Sequence, residues 1–520
     1  TAGSVTTITI QARDAAGNNL TTDPGVAAQV TISGANPAAA AAATNNTNGT
    51  YTFTYTPSVA GSDAFSITLG GTPILGSPYL SVVGAGGVST FLVEAAGGGA
   101  ITTQTAGTSF NIRISARDAN GNIVPSFTGA GNTVAQTSTG TLTGAPITTG
   151  TFTNGVLSSQ AVTITNTGTF TITATRSSGG AQNGTSTSFS VVPGAVSVSA
   201  STAVVPATGN AGQATNISLQ AKDAFGNNRT TSSGTFTVAV SGANTVSTFN
   251  ATNNGDGTYT AAYTPANAGT DVVTIKQGST NISGSPFNSV VSAGGLDHFL
   301  ITNTSDNPIT TRTAGSSFDI RIRAKDASNN DVTTFTSKVD ITSTSTISAG
   351  GGTTLAFTAG VLSSHAITLT TAGANQTITA TNSVGPETGT SSSFTVNAGA
   401  LDHFNVEESG GGAIPAQAAG ASFDLRFTAR DVNSNIVTSF SGGSNKVTVG
   451  ASGCTLTSGS GLSAAFSSGV LDPKAVTVSP AASACTITAS GSSKSGSSNA
   501  FAVIGPISAA TSTVSVSAGT

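Results

Sequence analysis

One short string occurs five times in this chain at nearly constant spacing. It reads Ala12-Arg13-Asp14-Ala15-Ala16-Gly17-Asn18, Ala116-Arg117-Asp118-Ala119-Asn120-Gly121-Asn122 and Ala221-Lys222-Asp223-Ala224-Phe225-Gly226-Asn227. Weaker copies follow at Ala324-Lys325-Asp326-Ala327-Ser328-Asn329-Asn330 and Ala429-Arg430-Asp431-Val432-Asn433-Ser434-Asn435. The aspartates are 104, 105, 103 and 105 residues apart. A fixed period decides the architecture before local propensity does. This one is longer than a solenoid repeat and matches a small domain. The chain therefore reads as five similar domains in a row, which suits a mechanical or adhesive task better than catalysis.

Low complexity raises the alternative of disorder. Period-two patterning argues against it. Ser109-Phe110-Asn111-Ile112-Arg113-Ile114-Ser115-Ala116 alternates, as do Phe318 to Ala324 and Phe423 to Ala429. Such alternation marks strands with one buried face. It predicts that Ile8, Ile10 and Ala12 are buried, as are Ile112, Ile114 and Ala116. No segment carries a helical period. Strands separated by Gly, Asn, Ser and Pro turns about every ten residues indicate an all-β sandwich of seven or eight antiparallel strands per unit.

Composition narrows the function. Only 7% of residues are charged and the net charge is -4, so there is no basic footprint for nucleic acid. Ser, Thr and Asn take over solvation, and 64 glycines supply turns. Met and Trp are absent, so residue 1 is not an initiator, and no signal peptide, 18-residue apolar run or sorting motif is present. Any export signal or anchor is expected to have been removed or to lie outside this sequence. The overall balance suggests an extracellular, microbial β protein.

The first and third repeats share a second signature. Gly49-Thr50-Tyr51-Thr52-Phe53-Thr54-Tyr55-Thr56-Pro57 is followed by Ala60-Gly61 and Gly76-Ser77-Pro78-Tyr79. The third has Gly257-Thr258-Tyr259-Thr260-Ala261-Ala262-Tyr263-Thr264-Pro265, Ala268-Gly269 and Gly284-Ser285-Pro286-Phe287. This resembles the filamin-type immunoglobulin-like repeat. All five tyrosines lie in these segments, and Tyr51, Phe53 and Tyr55 share one parity, which predicts that they fill the core. The other three repeats share Phe152-x-x-Gly155-Val156-Leu157, Phe357-x-x-Gly360-Val361-Leu362 and Phe466-x-x-Gly469-Val470-Leu471, and two open with Leu-Asp-His-Phe at 296–299 and 401–404. These resemble the bacterial Ig-like modules of large secreted adhesins and surface proteins. The resemblances imply five tandem immunoglobulin-like antiparallel β-sandwiches in an elongated rod.

The expected domains span 1–83, 88–192, 196–292, 296–397 and 401–504, the first and third of them filamin-like. Joints such as Gly84-Ala85-Gly86-Gly87 and Ala398-Gly399-Ala400 are two to four residues long. Short joints limit bending, and each sandwich adds ~35 Å of length.

The two ends of the sequence fit together. The first repeat lacks its opening strand, while sixteen residues follow Ile504. Ser512 to Thr520 resembles Ser201 to Gly209, the opening of the third repeat, and laying it before Thr1-Ala2-Gly3 continues into Asn210-Ala211-Gly212 without a gap. Across that join the aspartates stay in period, at 103 residues. Residues 507–520 are therefore expected to be a strand completing the first domain of the next copy, with Thr513, Val514, Ser515 and Val516 as the junction strand. Two explanations stay open: head-to-tail polymerisation by strand addition, or one period of a longer tandem polypeptide.

Candidate chemistry is sparse. The three histidines, His298, His365 and His403, do not cluster in sequence, and no metalloprotease, P-loop or dinucleotide motif occurs. No catalytic residue, cofactor or metal ligand is assigned. The Asp-x-x-Gly-Asn hairpin lacks the carboxylate run of a calcium loop and reads as an Asx turn with Gly or Asn at positive φ, and so does the Asp256 turn. Nine basic residues, Arg13, Arg113, Arg117, Lys222, Arg321, Arg323, Lys325, Arg426 and Arg430, share the outward side of the motif strand. They read as cross-strand partners of nearby carboxylates, with an acidic glycan or a neighbouring strand as the alternative. Sequons at Asn45, Asn216 and Asn281 are no more than such a composition yields by chance. Cys454 and Cys485 are too few for a disulfide scaffold. Cys485 shares parity with Ile487 and Ala489, which predicts a core-facing Cys454–Cys485 disulfide in the fifth domain, the alternative being two buried thiols.

These readings converge on a structural subunit or repeat unit of an extracellular filament or adhesin stalk, not an enzyme. The expected partners are copies of itself head to tail or the continuation of the same chain, with no nucleic acid and no membrane segment. The alternative is a surface module that binds a glycan or host protein.

Overall fold

The computed structural model describes residues 1–507 and 512–515. All regular elements among them are strands. The alternating segments become central strands with one buried face. In Phe110–Arg117, Ile112, Ile114 and Ala116 are fully buried, and the strand pairs antiparallel with Thr90–Ala95 on one side and Val156–Val162 on the other. Ser317–Lys325 buries Ile320, Ile322 and Ala324, and Ser422–Asp431 buries Leu425, Phe427 and Ala429.

The apolar residues gather in five separate buried clusters in chain order, one for each copy of the repeated string. The third cluster shows the layering best. One sheet runs Thr202–Val204, Thr215–Gln220, Thr258–Tyr263, Thr252–Asn253; the facing one runs Thr208–Asn210, Phe287–Ser292, Gly269–Gln277, Thr237–Gly242, Val246–Asn250. Within this unit the pairing is antiparallel with one exception that the sequence pattern does not reveal. Thr208–Asn210 has crossed to the facing sheet and lies parallel to Phe287–Ser292. Gln104–Thr105, Arg312–Thr313 and Gln417–Ala418 do the same in the second, fourth and fifth units. The opening segment of these units thus reaches both sheets and closes the sandwich.

The first unit lacks both halves of that segment. Among the described residues, Thr6–Gln11 pairs only with Thr50–Tyr55, and Tyr79–Val83 only with Gly61–Leu69. Its core holds eight buried residues against twelve in the third unit. Ile10 and Ala12 are buried as expected, but Ile8 is only half-buried, whereas its counterpart Ile217 is buried. A groove of ≈ 390 Å³ lies open there, lined by Ile8, Ile10, Phe65, Ile74, Tyr79 and Leu80. Tyr51 is buried, but Phe53 and Tyr55 are also only half-buried, so that strand fills less of the core than its parity predicts.

One core position is chemically out of place. Gln136 is fully buried in the second unit, and no protein group bonds either of its amide atoms. The register that pairs it with Ala174 pairs Ile341 with Ala380 and Val449 with Ala489 in the fourth and fifth units. An unsatisfied buried amide costs roughly 1–3 kcal/mol. Gln136→Ile is expected to stabilise the second unit by about that amount, read as a higher denaturant midpoint with hydrogen exchange localising the gain to residues 88–192.

Candidate functional site: the joints between units

The repeated string forms a tight hairpin at the end of its strand. Its fourth loop position has positive φ in every copy: Gly17 88°, Gly121 86°, Gly226 83°, Asn329 66° and Ser434 66°. The basic residue before the aspartate caps the same hairpin. Arg117 and Arg430 donate to the carbonyls of Gly121 and Ser434 at 2.7 and 2.6 Å, and Lys325 to that of Asn329 at 3.0 Å.

The aspartate organises this loop and the chain entering it. Asp326 is buried, and its Oδ1 accepts the amides of Ser328 and Asn330 at 2.9 and 2.8 Å. Its Oδ2 accepts Asn330 Nδ2 at 2.8 Å and the amide of the linker residue Gly294 at 2.7 Å. Asp118, Asp223 and Asp431 are equally buried and hold Gly86, Gly194 and Gly399 the same way, at 2.9, 3.0 and 2.7 Å. Two N–H donors on each oxygen occupy the carboxylate as an acceptor, which explains the motif as a joint.

The asparagine then reaches into the preceding unit. Asn330 Nδ2 donates to the Ala266 carbonyl at 2.7 Å, and its Oδ1 accepts the Ala268 amide at 2.8 Å. Asn122 makes the same pair with Ser58 and Ala60, and Asn435 with Thr370 and Ala372. Asn227 donates to the Thr165 carbonyl at 2.8 Å. The linker glycine is wedged between the two units: a Cβ on Gly294 would lie 2.9 Å from the Ala211 carbonyl and 3.4 Å from the Asp326 carboxylate. A second contact comes from the middle of the hairpin, where the Phe225 ring rests on Gly107 of the unit before.

In the first and third units the joint is wired into the core. Tyr263 Oη donates to the buried Asp271 at 3.0 Å, across the two sheets. Asp271 also accepts the Asn244 amide at 2.8 Å, and Asn244 Oδ1 accepts the amides of Ala266 and Asn267. Ala266 is the residue whose carbonyl meets Asn330. The first unit repeats the chain through Tyr55, Asp63, Asn36 and Ser58. Burial and the bond to Asp63 push the Tyr55 hydroxyl up to about 12. A signal for this network was present in sequence: Ser33-Gly34-Ala35-Asn36 recurs unchanged as Ser241-Gly242-Ala243-Asn244.

Other candidates resolve locally. In the fourth unit Asp306 is held below the usual carboxylate range, chiefly by its hydrogen bond from Arg323. Arg321 and Arg323 reach Asp306 at 2.9 and 2.7 Å, and Arg323 and Lys325 reach Asp331 at 2.8 and 2.7 Å, so this part of the basic stripe pairs with carboxylates. His298 and His403 lie against Asp297 and Asp402, and His365 against the Gly350 carbonyl. Among the described residues no three His, Cys, Asp or Glu side chains are grouped to hold a metal, and no helix is long and apolar enough to cross a membrane.

The structure brings Cys454 and Cys485 together, with Cα atoms 5.2 Å apart, inside the bridging range. Cys485 is buried in the fifth core, and Cys454 follows Thr448–Ser452 on the bend leading to Thr455–Ser458 in the other sheet. Thr513, Val514 and Ser515 are exposed and form no strand here, and Val516 lies outside the described residues.

Residues 1–80 and 190–288 match the Filamin/ABP280 repeat. These are the two stretches whose tyrosine motifs resemble that repeat. Among curated proteins none matches the chain in sequence. Similar solved structures include the Escherichia coli adhesin FdeC, at 22% identity over 61% of this chain and 99% of that one, TM-score 0.34. Invasin, a bacterial integrin-binding protein, shares 17% identity over 80% of this chain and 79% of its own, TM-score 0.29. InvD of Yersinia pseudotuberculosis shares 18% over 55% and 91%, TM-score 0.25.

Three outcomes are expected from this geometry. Asn330→Ala removes two bonds between units, worth about 1 kcal/mol each. It should broaden the small-angle scattering distance distribution while leaving the β circular-dichroism signal intact. Acid should act on all four joints. Burial alone would raise the pKa of Asp118, Asp223, Asp326 and Asp431, but the hydrogen bonds from asparagine, linker glycine and loop amides outweigh it and hold all four below normal. Their stabilisation is therefore complete above the unfolded value of about 4 and is lost as pH falls through the lower folded values, so scattering should report loosening only below pH ~4. Finally, Cys454 and Cys485 should resist alkylation after denaturation without reductant. The bond would close a loop across a sequence separation of 31 and contribute roughly 3 kcal/mol; quantitative labelling of both thiols would refute it.

Proposed function

We propose that this chain is a structural repeat unit of an extracellular filament or adhesin stalk, whose task is to span distance and bear load. The observation that carries the reading is the joint: one aspartate–asparagine device occurs at four successive unit boundaries and each time fixes linker, preceding unit and following unit together. A chain evolved for catalysis or for flexible display does not need the same rigid connection four times. The proposed units are 1–83, 88–192, 196–292, 296–397 and 401–504, set as a rod, with residues 507–520 reserved for joining.

Joining is head to tail through the C-terminal strand, into a further copy or the continuation of the same polypeptide. The comparison of first and third units supports this. Thr202–Val204 and Thr208–Asn210 supply two edges of the third unit whose equivalents in the first have no partner strand among the described residues. Two apolar residues on the tail side, Ile507 and Val514, are 94% and 90% exposed, while their counterparts Val196 and Ala203 pack against a core. Thr513, Val514, Ser515 and Val516 would pair along Thr6–Gln11 as Thr202–Val204 pairs along Thr215–Gln220.

Deleting residues 507–520 tests the joining. Filaments of the full chain, seen by electron microscopy with a repeat of five units, should disappear, and the first unit should lose protection against hydrogen exchange. Unchanged assembly and unchanged protection would make the tail a linker. Reproducible sugar binding on a glycan array, without filaments, would instead favour a module that captures a glycan or host protein.

A further inference from the structure

The string at Asp14 to Asn18 folds into the same hairpin as the other four, yet its joint is unmade. Asp14 Oδ1 accepts the amides of Ala16 and Asn18 at 3.0 and 2.8 Å, and Oδ2 accepts Asn18 Nδ2 at 3.0 Å. Among the described residues nothing from another unit reaches either side chain, and both are exposed where Asp118, Asp223, Asp326 and Asp431 are buried. The loop is therefore preorganised: its positive-φ Gly17 and its internal bonds are in place, and only the linker amide and the two backbone groups of a preceding unit are missing.

The far end of the fifth unit presents the complementary groups. Its strand Val470–Ser479 corresponds to Val361–Leu369 of the fourth, with Val476 and Val478 buried as Ile367 and Leu369 are. That register sets the Ser479 carbonyl in the place of Thr370 and the Ala481 amide in the place of Ala372, the two groups that Asn435 binds. The Ala419–Gly420 turn repeats Ala314–Gly315, with the Gly420 amide bonded to the Val478 carbonyl as that of Gly315 is to Leu369. Gly420 has φ 82° and open space above it, where Gly107 carries Phe225. Gly505 stands 29 residues before the Asp14 of a following copy, the spacing of Gly194 to Asp223.

We propose that the Asp14–Asn18 hairpin is a docking site for the Ser479–Ala481 end of a second copy of this chain, forming a fifth joint of the same design. Asn18 Nδ2 donates to the Ser479 carbonyl, Asn18 Oδ1 accepts the Ala481 amide, and Asp14 Oδ2 accepts the amide of Gly505. The contact rests on the head-to-tail reading above but uses different atoms from strand donation. The strand supplies connection, and the hairpin fixes the angle at which one copy follows the next.

Three full-length variants separate the two. Asn18→Ala and Asn18→Asp each remove the amide donor; the aspartate keeps the size and guards against a misfolded loop. Asn330→Ala alters an internal joint as control. In sedimentation experiments both Asn18 variants should associate about tenfold more weakly than the parent chain, as expected for losing one to two hydrogen bonds. In micrographs of the filaments that remain, the angle at every fifth joint should widen while the four internal angles stay narrow. Asn330→Ala should widen one internal angle and leave association unchanged. If both Asn18 variants match the parent in affinity and angle while deletion of 507–520 still abolishes filaments, strand donation stands and the docking site is wrong. If the parent chain forms no head-to-tail assembly, both are wrong.

Discussion

The joints depend on one constraint: a buried carboxylate must be matched by donors. Taking an aspartate out of water costs several kcal/mol unless N–H groups replace the lost hydration. Asp118, Asp223, Asp326 and Asp431 meet that demand with two loop amides, an asparagine side chain and one linker amide apiece. Only the last of these comes from outside the hairpin. Moving the linker strips the carboxylate of a donor that nothing else replaces, so the connection between units is held by the energetics of burial. An exposed salt bridge in the same place would contribute about 0–1 kcal/mol and would be screened by salt.

That constraint also explains why the asparagine stands four residues after the aspartate. Its amide group is held by the carboxylate on one side, which leaves its remaining hydrogen and its carbonyl oxygen aimed at the preceding unit. In the first and third units the backbone it meets is braced from behind by Asn36 or Asn244, and through them by Asp63 or Asp271 and a tyrosine. A pull on the joint is thus carried into a network that crosses both sheets. In the fourth unit the corresponding turn is held by the Ser345 hydroxyl on the Thr371 carbonyl, and in the second by Asn166, whose Oδ1 accepts the Thr141 amide, so the two kinds of sandwich differ in how the joint is anchored and not in the joint itself.

Much of the fold was legible in sequence because its signals are local. The alternation in Phe110–Arg117 and Ser317–Lys325 fixes which face is buried, and the spacing of the aspartates fixes how often the pattern recurs. The parallel strands were not legible, since a two-residue segment such as Gln104–Thr105 carries no periodicity. Gln136 could not be read as buried, because a lone polar residue on a strand is ordinarily assigned to the wet face. The half-burial of Ile8 escaped for the opposite reason: its own strand is regular, and what differs is the neighbour strand. The hairpin was correctly read as an Asx turn, but its reach into the preceding unit depends on contacts about 62–65 residues away in sequence. The sequence did hold a clue, since an Asx turn alone does not require the same asparagine in all five copies.

The scarcity of charge follows from the same design. Most of the work that ion pairs do on other protein surfaces is done here by neutral hydrogen bonds between side-chain amides, hydroxyls and backbone, and the charged groups that matter most are buried in the joints. Screening by salt acts on exposed pairs such as Asp306 with Arg321 and Arg323, and reaches the joint carboxylates much less. Protonation does the reverse, because a neutral carboxyl must turn one of its oxygens into a donor amid groups that are already donors. Salt and acid should therefore affect the chain in opposite measure. Units joined in this way keep their connections across a wide range of ionic strength.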